Sequence, residues 1–455
     1  SMFNNKIVLL MSIGVLILGV AGGSLAKSTP EEIARLGKDL TPMGAEMAGN
    51  KEGTIPAWTG GISTPPSGYE PGTFHLDPYA DETPLFTISA GNIGEYSEKL
   101  TEGHKALLGA YDTFKMNVYP SHRSFAAPQR IYDATRKVAA TAELVPSGNG
   151  VTGAVIGIPF PIPDNGLEVL WNHMLRWRGD AVERSVIKAA PTSSGKFILT
   201  KKFEETNFQY SQEGMTEEKL NNIILHIKME TLAPASSVGA KSLAHETLNQ
   251  EKDHRKAWQY NPGQRRVRRA PNLAFDNPIA SIDGLAVNDQ KDMFSGSPER
   301  YTWNLVGKKE IYVPYNAYRL NSDKLKYKDI FTPRHPAIKF LRYELHRVWV
   351  VDAILKGDVR HIYKRRTLYV DEDSWQILAV DQYDNRDKLW RVSEGHGLEF
   401  YEVPVFWTAA EFHYDLQAGR YATDVLHGND KVIKFRKKYN PKEFSVNYLR
   451  RSGRR

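Results

Sequence analysis

Cysteine is absent from the 455 residues. Disulfides, thiolate zinc sites, iron–sulfur clusters, a cysteine nucleophile and a lipidated cysteine are thereby excluded. Long apolar runs are almost absent as well. Beyond residue 26 no segment reaches the roughly eighteen consecutive apolar residues that a membrane-spanning helix needs. Charge of one sign is not in large excess. The 60 Lys and Arg against 53 Asp and Glu leave a formal net charge of +7, which permits contact with anionic lipid without demanding it. The motifs of several large enzyme classes are missing too: no P-loop, no GxGxxG opening a helix, no GxSxG elbow and no HExxH. No nucleic-acid recognition module is present, so nucleic acid is not an expected partner.

What is there is aromatic: 22 Tyr, 18 Phe and 9 Trp. That content suits a β protein better than a helical bundle. The chain opens with Lys6 and the uncharged run 7–20 (IVLLMSIGVLILGV), followed by small residues ending Ser24-Leu25-Ala26. Gly19, Gly22 and Gly23 break the run before a full span, so residues 1–26 read as a secretory signal cleaved after Ala26.

Residues 27–178 read as helices and extended wrapping segments. Helices are expected within 27–50, over 91–115, and over 165–177, where Leu167, Leu170, Trp171, Met174 and Trp177 repeat at helical spacing. Residues 51–90, rich in Gly, Pro and Thr, read as irregular.

From about residue 179 the period shifts to two. Ile223, Leu225, Ile227 and Met229 alternate with Ile224, His226, Lys228 and Glu230, a strand with one apolar face. Further strands are expected at 301–305, 343–351, 360–370, 375–383, 389–393 and 398–407. The 371–374 run (DEDS) reads as a solvated hairpin turn. Nine to eleven antiparallel strands in one meander, over 179–440, must curl. The fold class is therefore mainly β (α+β), a large curled antiparallel sheet with helices plugging or covering its concave face. Residues 441–455 read as a basic tail, disordered over 450–455.

Candidate site residues follow from that shape. A concave sheet without catalytic motifs suits burial of an apolar ligand. Trp258, Tyr260, Tyr301, Trp303, Leu305 and Trp349 are its expected lining. Arg265, Arg266, Arg268 and Arg269, four guanidiniums in five residues, form an expected anion site. His335, His346 and His361 fall among the strands, but their spacing requires no metal; no metal, cofactor or catalytic residue is expected, and the chain reads as a non-enzyme.

Several blocks carry a family resemblance: 157–166 (GIPFPIPDNG), 171–179 (WNHMLRWRG), 262–271 (PGQRRVRRAP), 283–285 (DGL), 303–310 (WNLVGKKE), 314–316 (PYN), 343–352 (YELHRVWVVD), 371–375 (DEDSW) and 415–421 (DLQAGRY). Together they resemble a Gram-negative domain-of-unknown-function family related to the LolA/LolB-like outer-membrane lipoprotein-sorting proteins. The resemblance implies a periplasmic half-barrel enclosing helices, associated with the outer membrane. It implies a lipid or other lipophilic small molecule as cargo, with an inner-membrane transporter of the resistance-nodulation-division type and an outer-membrane protein as partners. An accessory transporter subunit that carries nothing is the alternative. The chain departs from the lipoprotein carriers in being about twice as long and in lacking the acceptor's lipidated cysteine.

Overall fold

The computed structural model describes residues 27–453; the signal-peptide expectation, and Arg454 and Arg455 of the tail, lie outside them. Two large antiparallel sheets dominate. The first is a meander of β1 (Ala181–Lys188), β2 (Thr200–Asn207), β3 (Ile223–Ala233), β4 (Lys241–Thr247), β5 (Lys256–Asn261) and β6 (Arg266–Arg269). The second contains β7 (Tyr301–Pro314), β8 (Tyr343–Leu355), β9 (Arg365–Asp371), β10 (Ile377–Tyr383), β11 (Leu389–Phe400), β12 (Val405–Asp415) and β13 (Arg420–Leu426). Short strands complete both: Phe86–Ile88 and Met116–Val118 extend the second sheet, and β14 (Lys434–Arg436) pairs with β1.

The expected single meander is thus two meanders, and they meet where sequence order does not suggest. β6 and β7 are consecutive in the chain but unpaired. Instead β1 touches β13: Ala189 and Thr423 exchange backbone hydrogen bonds of 2.8 and 3.2 Å, and Val186 bridges His427. This seam joins the two sheets into one curled surface, with a crevice on its inner side.

The helical expectations were too long in places. Residues 27–50 hold only the capped turn Pro30–Arg35, and 91–115 break into Ile93–Tyr96, a 3-10 turn and Glu102–Ala110. Helix Gly166–Leu175 matches its apolar repeat and sits deep in the core, with Trp171 fully buried. Its first residue allows that approach: a Cβ on Gly166 would lie 2.8 Å from the Trp303 carbonyl oxygen. Helix Gln129–Ala139, unforeseen, buries Ile131, Thr135 and Val138. The expected strand 398–407 is interrupted by a turn at 401–404, where Pro404 has no N–H to give a ladder. The tail is not disordered through 453. Ser445 caps helix Val446–Ser452, Leu449 is buried, and the helix packs over the first sheet.

The largest departure is the 371–374 turn. It does join β9 and β10, but Asp371, Glu372 and Asp373 are all buried. Arg123 donates to Asp373 at 2.7 and 3.0 Å, Arg347 to Glu372 at 3.0 Å and Tyr315 to Asp371 at 2.8 Å. Arg123 also donates to the carbonyls of Glu46, Met47 and Pro56. The acidic turn is therefore the anchor of the wrapping segment, a role a count of acids cannot reveal.

Candidate functional site: a crevice between the two sheets

Strand β3 explains the crevice. Its two faces are both covered, but unequally. The polar-looking face, Ile224, His226 and Lys228, is buried. His226 stacks on Phe444, and Lys228 lies 4.7 Å from the Tyr448 ring centroid, under the C-terminal segment. The apolar face, Leu225, Ile227 and Met229, is only half-buried and looks into the crevice. Ser242 and Ala244 of β4 continue this wall, since Met229 pairs with Ser242 and Ile227 with Ala244.

Opposite stand Trp407 and Glu411 of β12, Asp424 of β13, Trp171 and Met174 of the helix, and the 291–296 loop. The cavity within this partly open crevice is about 130 Å³. Met229 and Ser242 also border an open depression of about 460 Å³, lined further by Lys202, Thr231 and the 261–263 turn, so the wall runs outward to the surface.

The inner end is charged. Lys188 meets Asp424 at 2.6 Å, Arg184 meets Glu204 at 2.6 Å, Arg255 meets Glu246 at 2.6 Å and Arg178 meets Asp292 at 2.8 Å. Burial opposes ionisation of Asp424, but Lys188 and Lys291 outweigh it and hold the carboxyl well below its usual range. Arg184 lies flat over Trp407, 3.9 Å from the ring centroid. Glu411 behaves oppositely. Burial, then repulsion from Asp292 and Asp424, pushes it up to about 8, so it is a neutral carboxyl at pH 7. Burial and repulsion from Lys188 lower Lys291 to about 7 and Lys202 to about 8.

None of the six expected aromatic and aliphatic residues lines this crevice. Trp303 is buried in the main core, donates from Nε1 to the Pro298 carbonyl at 2.9 Å and packs edge-on against Phe294. Tyr301 donates to the Tyr363 carbonyl. Both border a separate open depression of about 310 Å³ beside the 146–149 loop. Leu305 packs on the same core, and Trp349 stacks parallel to Trp375. Trp258 and Tyr260 lie on β5, on the face covered by the C-terminal helix, and Tyr260 also borders the open depression beside Gln259. These rings are used as packing, because large flat groups fill a core more economically than they line a small cavity. The alternation of β3 was the informative signal; the aromatic count was not.

Arg266, Arg268 and Arg269 lie exposed on edge strand β6, and Arg265 in the turn before it, at φ +51°. Arg268 pairs with Gln259, a residue of the open depression, whereas Arg269 projects to the other face over Trp258. No carboxylate among the described residues pairs with any of the four. The three histidines do not converge. His335 bonds Thr113, His346 bonds Glu344 and His361 bonds Asp289. Among the described residues no helix is long and apolar enough to cross a membrane.

Known proteins are similar to this chain in sequence. An uncharacterized protein of Pseudomonas aeruginosa, PA3922, is 44% identical over 448 residues, 98% of each chain. Among solved structures, a DUF1329 family protein from Desulfovibrio piger matches 62% of this chain and 97% of its own at 13% identity, with a TM-score of 0.44. The LolA superfamily protein NE2245 from Nitrosomonas europaea matches 63% of this chain and all of its own at 12% identity, with a TM-score of 0.38. Residues 87–450 match the model of the proteins of unknown function DUF1329, and the chain belongs to that family.

Proposed function

We propose that this protein is a periplasmic carrier that buries the apolar part of a ligand in the crevice between its two sheets and hands it between membrane components. The carrying observation is strand β3, which turns Leu225, Ile227 and Met229 towards unfilled space while His226 and Lys228 are covered. Folding ordinarily buries the apolar side of a strand. Here that side is kept available, which suits an occupant that comes and goes. The signal-like residues 1–26 support the location.

Size limits the mode of binding. About 130 Å³ holds a group near benzene in size. A longer chain extends past Met229 and Ser242 into the open depression, where burying each methylene is worth about 0.8 kcal/mol. Native mass spectrometry of protein taken from its own cells tests the reading. A bound lipophile that detergent washing removes, and that the variant Ile227→Asp no longer retains, is the expected result. Ligand-free protein that also fails to bind a neutral hydrophobic dye such as Nile red overturns it and favours an accessory transporter subunit.

A further inference from the structure

The four ion pairs of the crevice use every ionisable group on its lining except two, Lys291 and Glu411. Lys291 has no ion pair or hydrogen bond among the described residues. Glu411 accepts from Thr408 at Oε1, while its buried Oε2 has no partner. The hydroxyls of Thr206 and Ser295, on the same lining, are likewise buried and unpartnered. Buried polar atoms without partners are rare and costly, about 1–3 kcal/mol each. Their presence on one lining, beside the unpaired Lys291, marks the cavity as built for something polar.

The backbone beneath Lys291 is held in place deliberately. Asp292 and Met293 both adopt left-handed conformations, φ +53° and +68°. Such strain persists where surroundings over-determine it. Asp292 accepts from Arg176, Arg178 and Trp407 through its carboxylate and from His173 through its carbonyl, all within 3.0 Å. Four side chains thus fix the loop that sets Lys291 on the crevice wall.

We propose that the inner end of the crevice takes the anionic head of an amphiphile, a carboxylate or phosphate ester, with Lys291 as counter-charge and the Glu411 carboxyl and the two hydroxyls as hydrogen-bond donors. This rests on the carrier reading and specifies its ligand: head inward, chain along Leu225, Ile227 and Met229. The sign of the charge follows by elimination. The four pairs cancel, the Glu411 carboxyl pushed up to about 8 is neutral at pH 6.5, and Lys291, lowered to about 7, keeps most of its charge there, so the uncompensated charge is positive.

Displacement of Nile red from the whole protein at pH 6.5 tests it with four probes: dodecanoate, dodecyl phosphate, dodecanol and inorganic phosphate. Dodecanoate and dodecyl phosphate should bind at least tenfold more tightly than dodecanol. Lys291→Met should reduce that preference to about twofold. Equal binding of dodecanoate and dodecanol by the wild type, which requires no variant to fold, overturns the head-group site and leaves the carrier standing. A Lys291→Met protein that keeps the full preference also overturns it. Inorganic phosphate competing as well as dodecyl phosphate shows a free-anion site and overturns the amphiphile. Failure of every dodecyl probe overturns the carrier as well.

Discussion

Lys188 and Asp424 meet at 2.6 Å across the seam that joins the two sheets, each only 3% exposed at its side chain. The pair stands on the crevice lining and fastens β1 to β13 beside the isolated backbone bridges, the Arg184–His427 contact and the Arg420 bonds to the Ala190 and Pro191 carbonyls. Truncating one member of a buried pair strands the other charge, at about 3–5 kcal/mol. Lys188→Met should lower the urea-unfolding free energy by that amount, and the double variant Lys188→Met with Asp424→Leu should recover most of it. A single-variant loss below about 1 kcal/mol would mean that Lys291 moves in to neutralise Asp424.

Arg123 holds the wrapping segment through two bonds to Asp373 and three backbone carbonyls between residues 46 and 56. Arg123→Lys keeps the charge but cannot span a planar, two-toothed contact. Limited proteolysis should therefore cut the Lys variant within residues 46–62 at least tenfold faster than wild type, with the sheets still intact by circular dichroism. Unchanged cleavage would assign the anchoring to Arg347 and Glu372 instead.

The legible part of this structure was its periodicity. The two-residue alternation of β3 gave both the strand and the face that meets the crevice, and the spacing of Leu167, Leu170, Trp171 and Met174 gave the buried helix. Pairings between distant strands were not legible, because a one-dimensional pattern states which face is apolar but not which edge it joins. Acids were misread for a similar reason. Asp371, Glu372 and Asp373 look solvated until Arg123 and Arg347, far away in sequence, arrive to bury them. Lys291 carried no local signal at all; its significance comes only from four neighbouring pairs that leave it out.

Glu411 gives a pH signature with a definite sign. Its carboxyl binds a proton more tightly folded than unfolded, since burial raises it to about 8. Its contribution is complete below the unfolded value near 4.5 and is lost as pH rises through about 8. Glu411→Gln keeps a neutral donor and removes the titration. The variant should gain stability relative to wild type as pH rises from 5 to 9, measured as the difference in urea midpoint at each pH. A difference that stays flat would show that Glu411 is ionised throughout.

Arg266 and Arg268 project to one side of edge strand β6, and Arg268 sits beside the open depression. Four unpaired guanidiniums so close together repel one another unless an outside anion joins them. Changing both to Gln should weaken binding to vesicles containing phosphatidylglycerol at least fivefold, and the loss should shrink in 0.5 M salt. Binding that is unaltered at low salt would leave the strand as an ordinary solvated edge.

Trp303 and Ile227 separate packing from binding. Trp303 packs on Phe294, Tyr301 and the Pro298 carbonyl, one side chain behind the crevice wall, so its removal opens a void in the main core. Trp303→Ala should cost about 3–5 kcal/mol of stability while leaving Nile red affinity within twofold at a temperature where the variant is folded. Ile227 faces existing space, so Ile227→Ala removes methyl groups that the fold itself buries only in part. It should cost less than about 1 kcal/mol, below the range of fully buried Ile→Ala changes, and weaken dye binding severalfold. The opposite pattern, with dye binding sensitive to Trp303 and indifferent to Ile227, would move the ligand out of the crevice to the face of β7.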